Sequence, residues 1–190
     1  DGGEFHEGGL KRITVSIDNI YEDLFKKMSR VYAELSTILE GFDLVERLGF
    51  NPIKINTVVQ KGKNDKKLLD LAEYIKSKGH ILRFIEYMDV GNLNGWDKSQ
   101  VVPSAAIVKM LDKKFGITPL EKQYMNEVAN RWKYNDGSAE IGFISSVSDP
   151  FCGNCSRIRL STDGKLYTCL FSDLGFDIKS TLDSGDDKLL

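Results

Sequence analysis

Three cysteines that lie close together are the residues whose types and spacing most clearly predict chemistry. Cys152 and Cys155 are separated by two residues across a predicted turn, and Cys169 follows in a predicted hairpin strand. Thiolates in this spacing can bind one centre, and three soft sulfur ligands suit zinc or an iron–sulfur cluster. An odd number of clustered cysteines does not indicate a disulfide framework. The spacing leaves the choice of metal open, and unpaired buried cysteines are the alternative.

The number of protein ligands distinguishes the two kinds of metal site. A closed zinc site needs a fourth ligand, and the two histidines, His6 and His80, are distant from the cysteines in sequence. Three thiolates on a four-iron cluster would leave one iron free to bind a substrate.

Two arginines follow the second cysteine. In a strand, Arg157 and Arg159 would point to one face, where their guanidinium groups suit phosphate. The alternative is a solvated strand face with outward charges. A three-residue loop over 162–164, with Gly164 left-handed, pairs 157 with 169 and 159 with 167. This register places Cys169 on the arginine face, and it is the one we expect.

The overall composition limits the classes of protein that the chain can belong to. The 190 residues are 41% hydrophobic and 28% charged with a net charge of −2, which indicates a folded protein and gives no general case for binding nucleic acid or a membrane surface. No stretch reaches the roughly 18 apolar residues of a spanning helix. The cysteine usage favours a reducing, intracellular compartment. The start, without Met or a signal peptide, leads us to expect a piece of a longer protein.

The elements that must position these residues follow from hydrophobic periodicity. Alternating strands and amphipathic helices predict the order β-α-β-α-β, with parallel strands and right-handed crossovers. The predicted strands are 10–17, 53–59, 81–88 and 139–147, the predicted helices are within 21–48, 65–78 and 104–115, segment 116–137 is expected to be irregular, and a hairpin is expected over 156–161 and 166–171.

Several segments together resemble one known family. The string SDPFCGNCSRIRLSTDGKLYTCLF at 148–171 closely resembles the C-terminal cluster motif of the GTP 3′,8-cyclases, the molybdenum cofactor biosynthesis protein A family of radical S-adenosylmethionine lyases. Further matching segments, in the same order, are LKRITVSID at 10–18, PIKINTVVQKGKND at 52–65, LRFIEYMDVG at 82–91, VVPS at 101–104 and EIGFISSVS at 140–148.

The resemblance implies a fold and a reaction. The fold is α/β, a partial TIM-like barrel with parallel strands over 1–115, followed over 116–190 by a substrate- and cluster-binding region with a cysteine-bearing β-hairpin. In this family one 4Fe–4S cluster cleaves S-adenosylmethionine to a radical that abstracts hydrogen from the ribose C3′ of GTP. The product is (8S)-3′,8-cyclo-7,8-dihydroguanosine 5′-triphosphate. A second 4Fe–4S cluster, with an open iron, binds the guanine base.

The same resemblance assigns roles to residues at matching positions. The implied roles are cluster ligands for Cys152, Cys155 and Cys169, GTP contacts for Arg157, Arg159, Lys54 and Arg83, and S-adenosylmethionine contacts for Ser16 and Met88. For Ser16, Met88 and Arg83 the residues alone indicate only a turn serine, a packed methionine and an ion-pairing arginine. A mid-strand lysine such as Lys54 must face water, an acid or a ligand.

Two departures from the family bear on activity. The chain has no N-terminal Cys-x3-Cys-x2-Cys motif, and it lacks the family's C-terminal double glycine. We therefore expect a fragment that is inactive alone. The implied partners are GTP, a second copy in a homodimer, and cyclic pyranopterin monophosphate synthase; the implied compartment is the bacterial cytoplasm or the mitochondrial matrix. The alternatives are a zinc-stapled nucleotide- or nucleic-acid-binding module and a metal-free remnant.

Overall fold

A computed structural model describes residues 4, 7–29, 34–89 and 95–183 of the chain. The chain divides into two compact units, which we call the sheet unit, Asp1–Met88 with Asp97–Phe151, and the cysteine unit, Asp89–Trp96 with Cys152–Leu190. Strands that follow residue 116 pair with the parallel strands that precede it. The division into a barrel part over 1–115 and a substrate- and cluster-binding region over 116–190 stays a prediction.

The sheet unit contains one mixed six-stranded sheet. Its strands are β1 (Thr14–Ser16), β2 (Lys54–Val59), β3 (Ile81–Glu86), β4 (Ile117–Pro119), β5 (Asn130–Tyr134) and β6 (Glu140–Ile144). Their order in the sheet is β1-β2-β3-β6-β5-β4. The pairs β1–β2, β2–β3 and β3–β6 are parallel, whereas β5 is antiparallel to both β6 and β4. The predicted parallel β-α-β-α-β order is confirmed.

Four helices connect these strands: α1 (Glu22–Ser29), α2 (Leu35–Arg47), α3 (Leu68–Ser77) and α4 (Ser104–Phe115). The bounds of α4 agree with the predicted helix, since Pro103 precedes it in extended conformation and Gly116, with φ of 65°, ends it. The predicted helical region 21–48 contains α1 and α2. Leu35 and Phe42 are the buried residues of α2.

The strands alternate between a core face and a polar face. Every second residue of β2 and β3 is buried, beginning with Ile55 and Leu82, and the intervening residues are half-buried. The core face joins the buried side chains of α2, α3 and α4, which include Phe42, Leu71, Ile75, Ile107 and Leu111, in one cluster. Complete burial of one such side chain contributes about 1.5–3 kcal/mol.

One local prediction is wrong in part. Segment 116–137 is irregular over 120–129, but it also contains β4 and β5, and β5 pairs with β6 while Trp132 and Tyr134 pack toward the core.

Asn64 lies directly before the 3₁₀ turn at Asp65–Lys67, and its side chain makes no capping hydrogen bond to that turn. Its side chain is buried and serves the sheet instead, with Oδ1 accepting from the Gln60 N–H at 2.9 Å.

The α/β class with a parallel-rich sheet is confirmed, but the predicted partial TIM-like barrel is not. Among the described strands, β1 and β4 are the edges of an open sheet. A TIM-like barrel needs eight parallel strands, and the described sheet has four. In the part of the chain that the structure describes, none of the helices has the length and apolar character needed to cross a membrane.

The cysteine unit has a small antiparallel sheet and a short helix. Strands β7 (Arg159–Leu160), β8 (Lys165–Tyr167) and β9 (Phe176–Asp177) pair in that order, and α5 (Ile178–Asp183) follows. The predicted hairpin register is confirmed by the pair Arg159–Tyr167 and by Gly164, whose φ is 82°. The hairpin is shorter than predicted, and the ladder ends before residues 157 and 169. The segment after 171 contains β9 and α5, which the sequence did not predict.

Candidate functional site

One row of paired residues crosses the polar face of the sheet. Ser16 pairs with Asn56, Asn56 with Arg83, Arg83 with Gly142, and Gly142 with Arg131. Because paired residues in neighbouring strands point to the same side, all five lie on the face opposite the core. The backbone therefore brings Ser16 and Arg83, predicted site residues from different strands, onto one surface.

A cavity of about 230 Å³ opens on this polar face. Its walls carry three cationic side chains, Lys54, Arg83 and Arg131, and two carboxylates, Glu127 and Glu140. Arg131 is bound by Glu140, with Nη2 at 2.8 and 3.0 Å from the two carboxylate oxygens. Within the described residues, the side chains of Lys54 and Arg83 make no hydrogen bond and no ion pair within 4 Å. Two cationic side chains without an ion-pair partner in one cavity favour the binding of an anionic ligand.

Burial and neighbouring charge both act on the Lys54 ammonium. Burial lowers the pKa of Lys54, and the nearby guanidinium groups of Arg83 and Arg12 lower it further. Glu127 acts in the opposite direction and raises it. An anion in the cavity would relieve this repulsion between cations, so the charge distribution is suited to binding phosphate.

Gly142 makes room for the Arg83 side chain. A Cβ at Gly142 would lie 3.3 Å from Cγ of Arg83 and 3.6 Å from Cβ of Ala129. The absent side chain therefore lets the stem of Arg83 pass over β6 and enter the cavity wall.

The carboxyl ends of β1 and β2 are tied together beside Ser16, the last residue of β1. The Val58 N–H donates to Oδ1 of Asp18 at 2.8 Å, and Nδ2 of Asn64 donates to the backbone oxygens of both Asp18 and Val58. Burial raises the pKa of Asp18. Met88, the other predicted contact of S-adenosylmethionine, is two residues beyond the end of β3. Ser16 and Met88 thus both lie at the carboxyl ends of strands of the same sheet.

Glu86 ends β3 as a buried carboxylate that sequence reasoning missed. It accepts hydrogen bonds from the N–H groups of Ser104, Val147 and Ser148 and from the Ser148 hydroxyl. The alternation of LRFIE, which puts Glu86 on the core face with Leu82 and Phe84, was the available signal. A fully hydrogen-bonded carboxylate there holds the start of α4 and the turn after β6 to the sheet.

The three cysteines are free and exposed. Cys152 and Cys155 share one 3₁₀ turn, in which the Cys155 N–H donates to the Cys152 oxygen at 3.2 Å. The Arg157 N–H and its Nε, 3.2 Å from the Cys155 sulfur, lower the pKa of that thiol, and Arg159 adds to the effect. Cys169 follows β8, and its sulfur accepts from the Phe171 N–H at 3.4 Å.

The three thiols are suitable ligands for a metal that binds sulfur, but the structure does not bring the three sulfur atoms together at one point. Across the described ranges, no set of three His, Cys, Asp or Glu side chains is positioned to hold a metal ion. The expected convergence of Cys152, Cys155 and Cys169 is therefore not shown. His80 offers no fourth ligand, since it is buried in the core of the sheet unit, where its Nδ1 accepts from the Ile53 N–H. His6 lies outside the described residues.

Three further charged residues that line the cavity were not predicted from the sequence. Glu140 begins β6, which pairs with β3, Arg131 reaches the cavity because β5 pairs with β6, and Glu127 precedes β5 in a loop. The alternation of Asn-Arg-Trp-Lys-Tyr over 130–134 was the signal that could have predicted this strand.

An open, parallel-rich α/β sheet with a basic cavity on its polar face, followed by a cysteine-bearing antiparallel unit, defines the class of protein. Residues 80–190 match the family described as Molybdenum Cofactor Synthesis C, and the chain belongs to this family.

Proteins named GTP 3′,8-cyclase are among its relatives. One from Xanthomonas axonopodis pv. citri is 46% identical over 183 residues, which are 96% of this chain and 55% of the relative. One from Acidothermus cellulolyticus is 44% identical over 181 residues, or 95% and 50%, and one from Staphylococcus aureus is 44% identical over 185 residues, or 97% and 54%. The chain thus spans about half the length of these relatives, and the resemblance found in its motifs is confirmed.

Proposed function

We propose that this chain forms the substrate-binding part of a GTP 3′,8-cyclase in molybdenum cofactor biosynthesis. The observation that carries the proposal is that the side chains of Lys54 and Arg83 line the same cavity. Among the described residues, neither side chain has an acidic group within salt-bridge distance. Both residues are also at positions that the family resemblance assigns to GTP.

The two cations would act on the triphosphate in different ways. The Lys54 ammonium is a compact charge that can follow one phosphate oxygen, whereas the planar Arg83 fork can bind two oxygens at once. Arg131 is held by Glu140 and would contribute charge rather than a contact. The sheet therefore fixes the position of an anionic group without requiring a flexible loop.

The cysteine unit is proposed to hold a 4Fe–4S cluster through Cys152, Cys155 and Cys169. Support comes from three free, exposed thiols in one unit and from the lowered pKa of Cys155. When bound, such a cluster would offer one iron without a protein ligand to the base of the nucleotide. Arg157 and Arg159 are proposed to contact GTP beside it.

The remaining family roles are also proposals. Ser16 and Met88, at carboxyl ends of two strands of the same sheet, are proposed to contact S-adenosylmethionine, and the open sheet is proposed to be part of a TIM-like barrel. These 190 residues contain no Cys-x3-Cys-x2-Cys motif for a second cluster. We therefore expect the chain alone to bind GTP without cyclising it, and detectable cyclisation would contradict this expectation.

The proposed setting is intracellular, since three exposed thiols would oxidise in an oxidising compartment. A homodimer and a functional partnership with cyclic pyranopterin monophosphate synthase are proposed from the family alone.

Anaerobic reconstitution with iron and sulfide tests the cluster. The expected result is a brown protein with broad visible absorption and about four irons and four sulfides per chain. A colourless protein with one bound zinc would instead support a zinc-stapled nucleotide-binding module, and a protein without metal would contradict both.

The double variant R157Q/R159Q separates the arginines from the cluster. It is expected to weaken GTP binding about tenfold or more while leaving the visible spectrum unchanged. An unchanged affinity for GTP would contradict the phosphate role of this arginine pair.

A further inference from the structure

Cys152 and Cys155 lie at the two ends of one hydrogen-bonded turn. The 3₁₀ turn covers Cys152–Asn154, and the Cys155 N–H donates to the Cys152 oxygen at 3.2 Å. A turn closed by such a bond brings its first and last Cα atoms to within about 7 Å of each other. A disulfide forms between cysteines whose Cα atoms are about 4.4–6.8 Å apart. The backbone therefore places this pair at a separation that suits a disulfide.

Both thiols of the turn are accessible to a small oxidant. Their side chains are exposed, and a Cβ added at Gly153, between them, would meet no heavy atom within 4 Å. Nε of Arg157 donates to the Cys155 sulfur at 3.2 Å. This cationic donor stabilises negative charge on the sulfur, and a negatively charged sulfur is the form that attacks a disulfide. A dissolved disulfide can thus reach the pair, and we expect Cys155 to react first.

Cys169 is not part of this turn. It follows β8, and its sulfur accepts from the Phe171 N–H at 3.4 Å. Among the residues that the structure describes, no three His, Cys, Asp or Glu side chains can hold one metal ion, so Cys169 is not grouped with the pair. A disulfide between Cys152 and Cys155 also closes a much shorter loop than one that includes Cys169, and a short loop loses less entropy on closing. The structure therefore favours a reaction of two cysteines and not of three.

We propose that Cys152 and Cys155 form a reversible disulfide across their turn, and that this disulfide controls metal loading by withdrawing two of the three proposed ligands. Formation of the disulfide depends only on the turn and its two thiols. Its effect on metal loading rests on the function proposed above. The pair is then a redox-sensitive switch in which Cys169 takes no part.

Oxidised glutathione, a small soluble disulfide, is the oxidant in this reaction. The Cys155 sulfur attacks one of its two sulfurs, a mixed disulfide forms, and the first glutathione leaves as a thiolate. The Cys152 sulfur then attacks the Cys155 sulfur of the mixed disulfide, and the second glutathione leaves. The two cysteines lose two electrons and two protons, and the two glutathione molecules gain them.

Equilibration of the metal-free chain with glutathione tests the reaction. The reduced chain is incubated without oxygen in mixtures of reduced and oxidised glutathione, and the remaining thiols are alkylated. Trypsin cuts after Lys133 and Arg157, so Cys152 and Cys155 are in one peptide, whereas Cys169 is in another, over 166–179. Mass spectrometry is expected to show that the first peptide loses two hydrogens and is not alkylated, while the second is alkylated.

Two variants and one solvent condition isolate the turn. C169S is expected to form the same disulfide at the same glutathione ratio, and C152S is expected to retain one glutathione on Cys155. In concentrated urea, which removes the turn, half-oxidation of the wild type is expected to need about tenfold more oxidised glutathione. A peptide cross-linked to Cys169, a wild type that carries only glutathione adducts, or an unchanged midpoint in urea would overturn the proposal.

Cadmium uptake tests the effect on metal loading. Cadmium binds thiolates, does not reduce disulfides, and gives an ultraviolet absorption band when bound to sulfur. The oxidised chain is expected to lack this band and to gain it after reduction with a phosphine. Equal uptake by the oxidised and reduced chains, or none by either, would show that the disulfide does not control loading. A reduced chain that binds cadmium but forms no cluster with iron and sulfide would contradict the proposed function alone.

Discussion

Glu86 and Ser148 are 62 positions apart, yet the Ser148 N–H donates a hydrogen bond of 2.7 Å to Oε2 of Glu86. The Ser148 hydroxyl donates to the other carboxylate oxygen, which also accepts from the Ser104 N–H. One buried carboxylate thereby joins the end of β3, the start of α4 and the turn after β6.

The variant E86Q is expected to destabilise the sheet unit by about 2–4 kcal/mol, because the amide NH₂ would face buried N–H donors. The variant S148A, which removes only the hydroxyl, is expected to cost about 1 kcal/mol. Urea unfolding measures both. A loss in E86Q no larger than that in S148A would show that the carboxylate does not hold these segments together.

Glu86 also predicts how stability depends on pH. Burial raises its pKa, but the hydrogen bonds from Ser148, Ser104 and Val147 outweigh burial, and the net pKa lies below the usual 4.5. The folded pKa is therefore below the unfolded one, so the stabilisation is complete above the unfolded pKa and is lost as the pH falls through the folded pKa.

The free energy of unfolding of the wild type, compared with that of E86Q from neutral pH down to about pH 3, measures this effect. The difference between the two proteins is expected to be constant near neutral pH and to shrink in acid. A difference that does not change with pH would contradict the assignment.

The hairpin of the cysteine unit depends on Gly164. Its φ of 82° is unfavourable for a side chain, and a Cβ would lie 2.6 Å from Cβ of Lys179. G164A is expected to reduce the protection of the Ser161 amide, which donates to the Lys165 oxygen, against hydrogen exchange. In the control G153A a new Cβ would have no heavy atom within 4 Å. Equal protection in both variants would mean that the turn tolerates a side chain.

The space that Gly142 leaves for the Arg83 side chain is expected to affect the binding of triphosphate. In G142A the new Cβ would crowd Cγ of Arg83, so the affinity for triphosphate is expected to fall about threefold to tenfold. The control G41A, on the exposed side of α2, has open space around its new Cβ and is expected to leave binding unchanged while stabilising the helix by about 0.5–1 kcal/mol. Calorimetry compares the two, and unaltered binding by G142A would count against the cavity.

Local signals were sufficient for some elements and insufficient for others. The bounds of α4 could be predicted because its apolar spacing and terminal Gly116 are local. Strand β5 was missed because its alternation is short: its two core residues, Trp132 and Tyr134, alternate with charged residues over only five positions, and the strand also depends on pairing with β6.

The residues of the candidate site differ in the same way: some could be predicted from local motifs, and others are placed by contacts distant in sequence. Lys54 and Arg83 were predicted from motifs on adjacent strands, and the parallel register brings them to one cavity. Glu127 reaches that cavity through the position of β5, which depends on contacts distant in sequence. The expected convergence of the three thiols is not shown, and the hairpin ladder, which ends at Tyr167, does not extend to Cys169.

Calorimetric titration of GTP into the reconstituted chain is the most direct test of the central claim that Lys54 and Arg83 bind the substrate. We expect saturable binding of one GTP per chain and a loss of affinity of about tenfold or more in K54Q/R83Q. The control K66Q/K113Q, which removes two exposed lysines outside the cavity, should bind GTP as the wild type does. Equal affinity in K54Q/R83Q and the wild type, or no binding by the wild type, would contradict it.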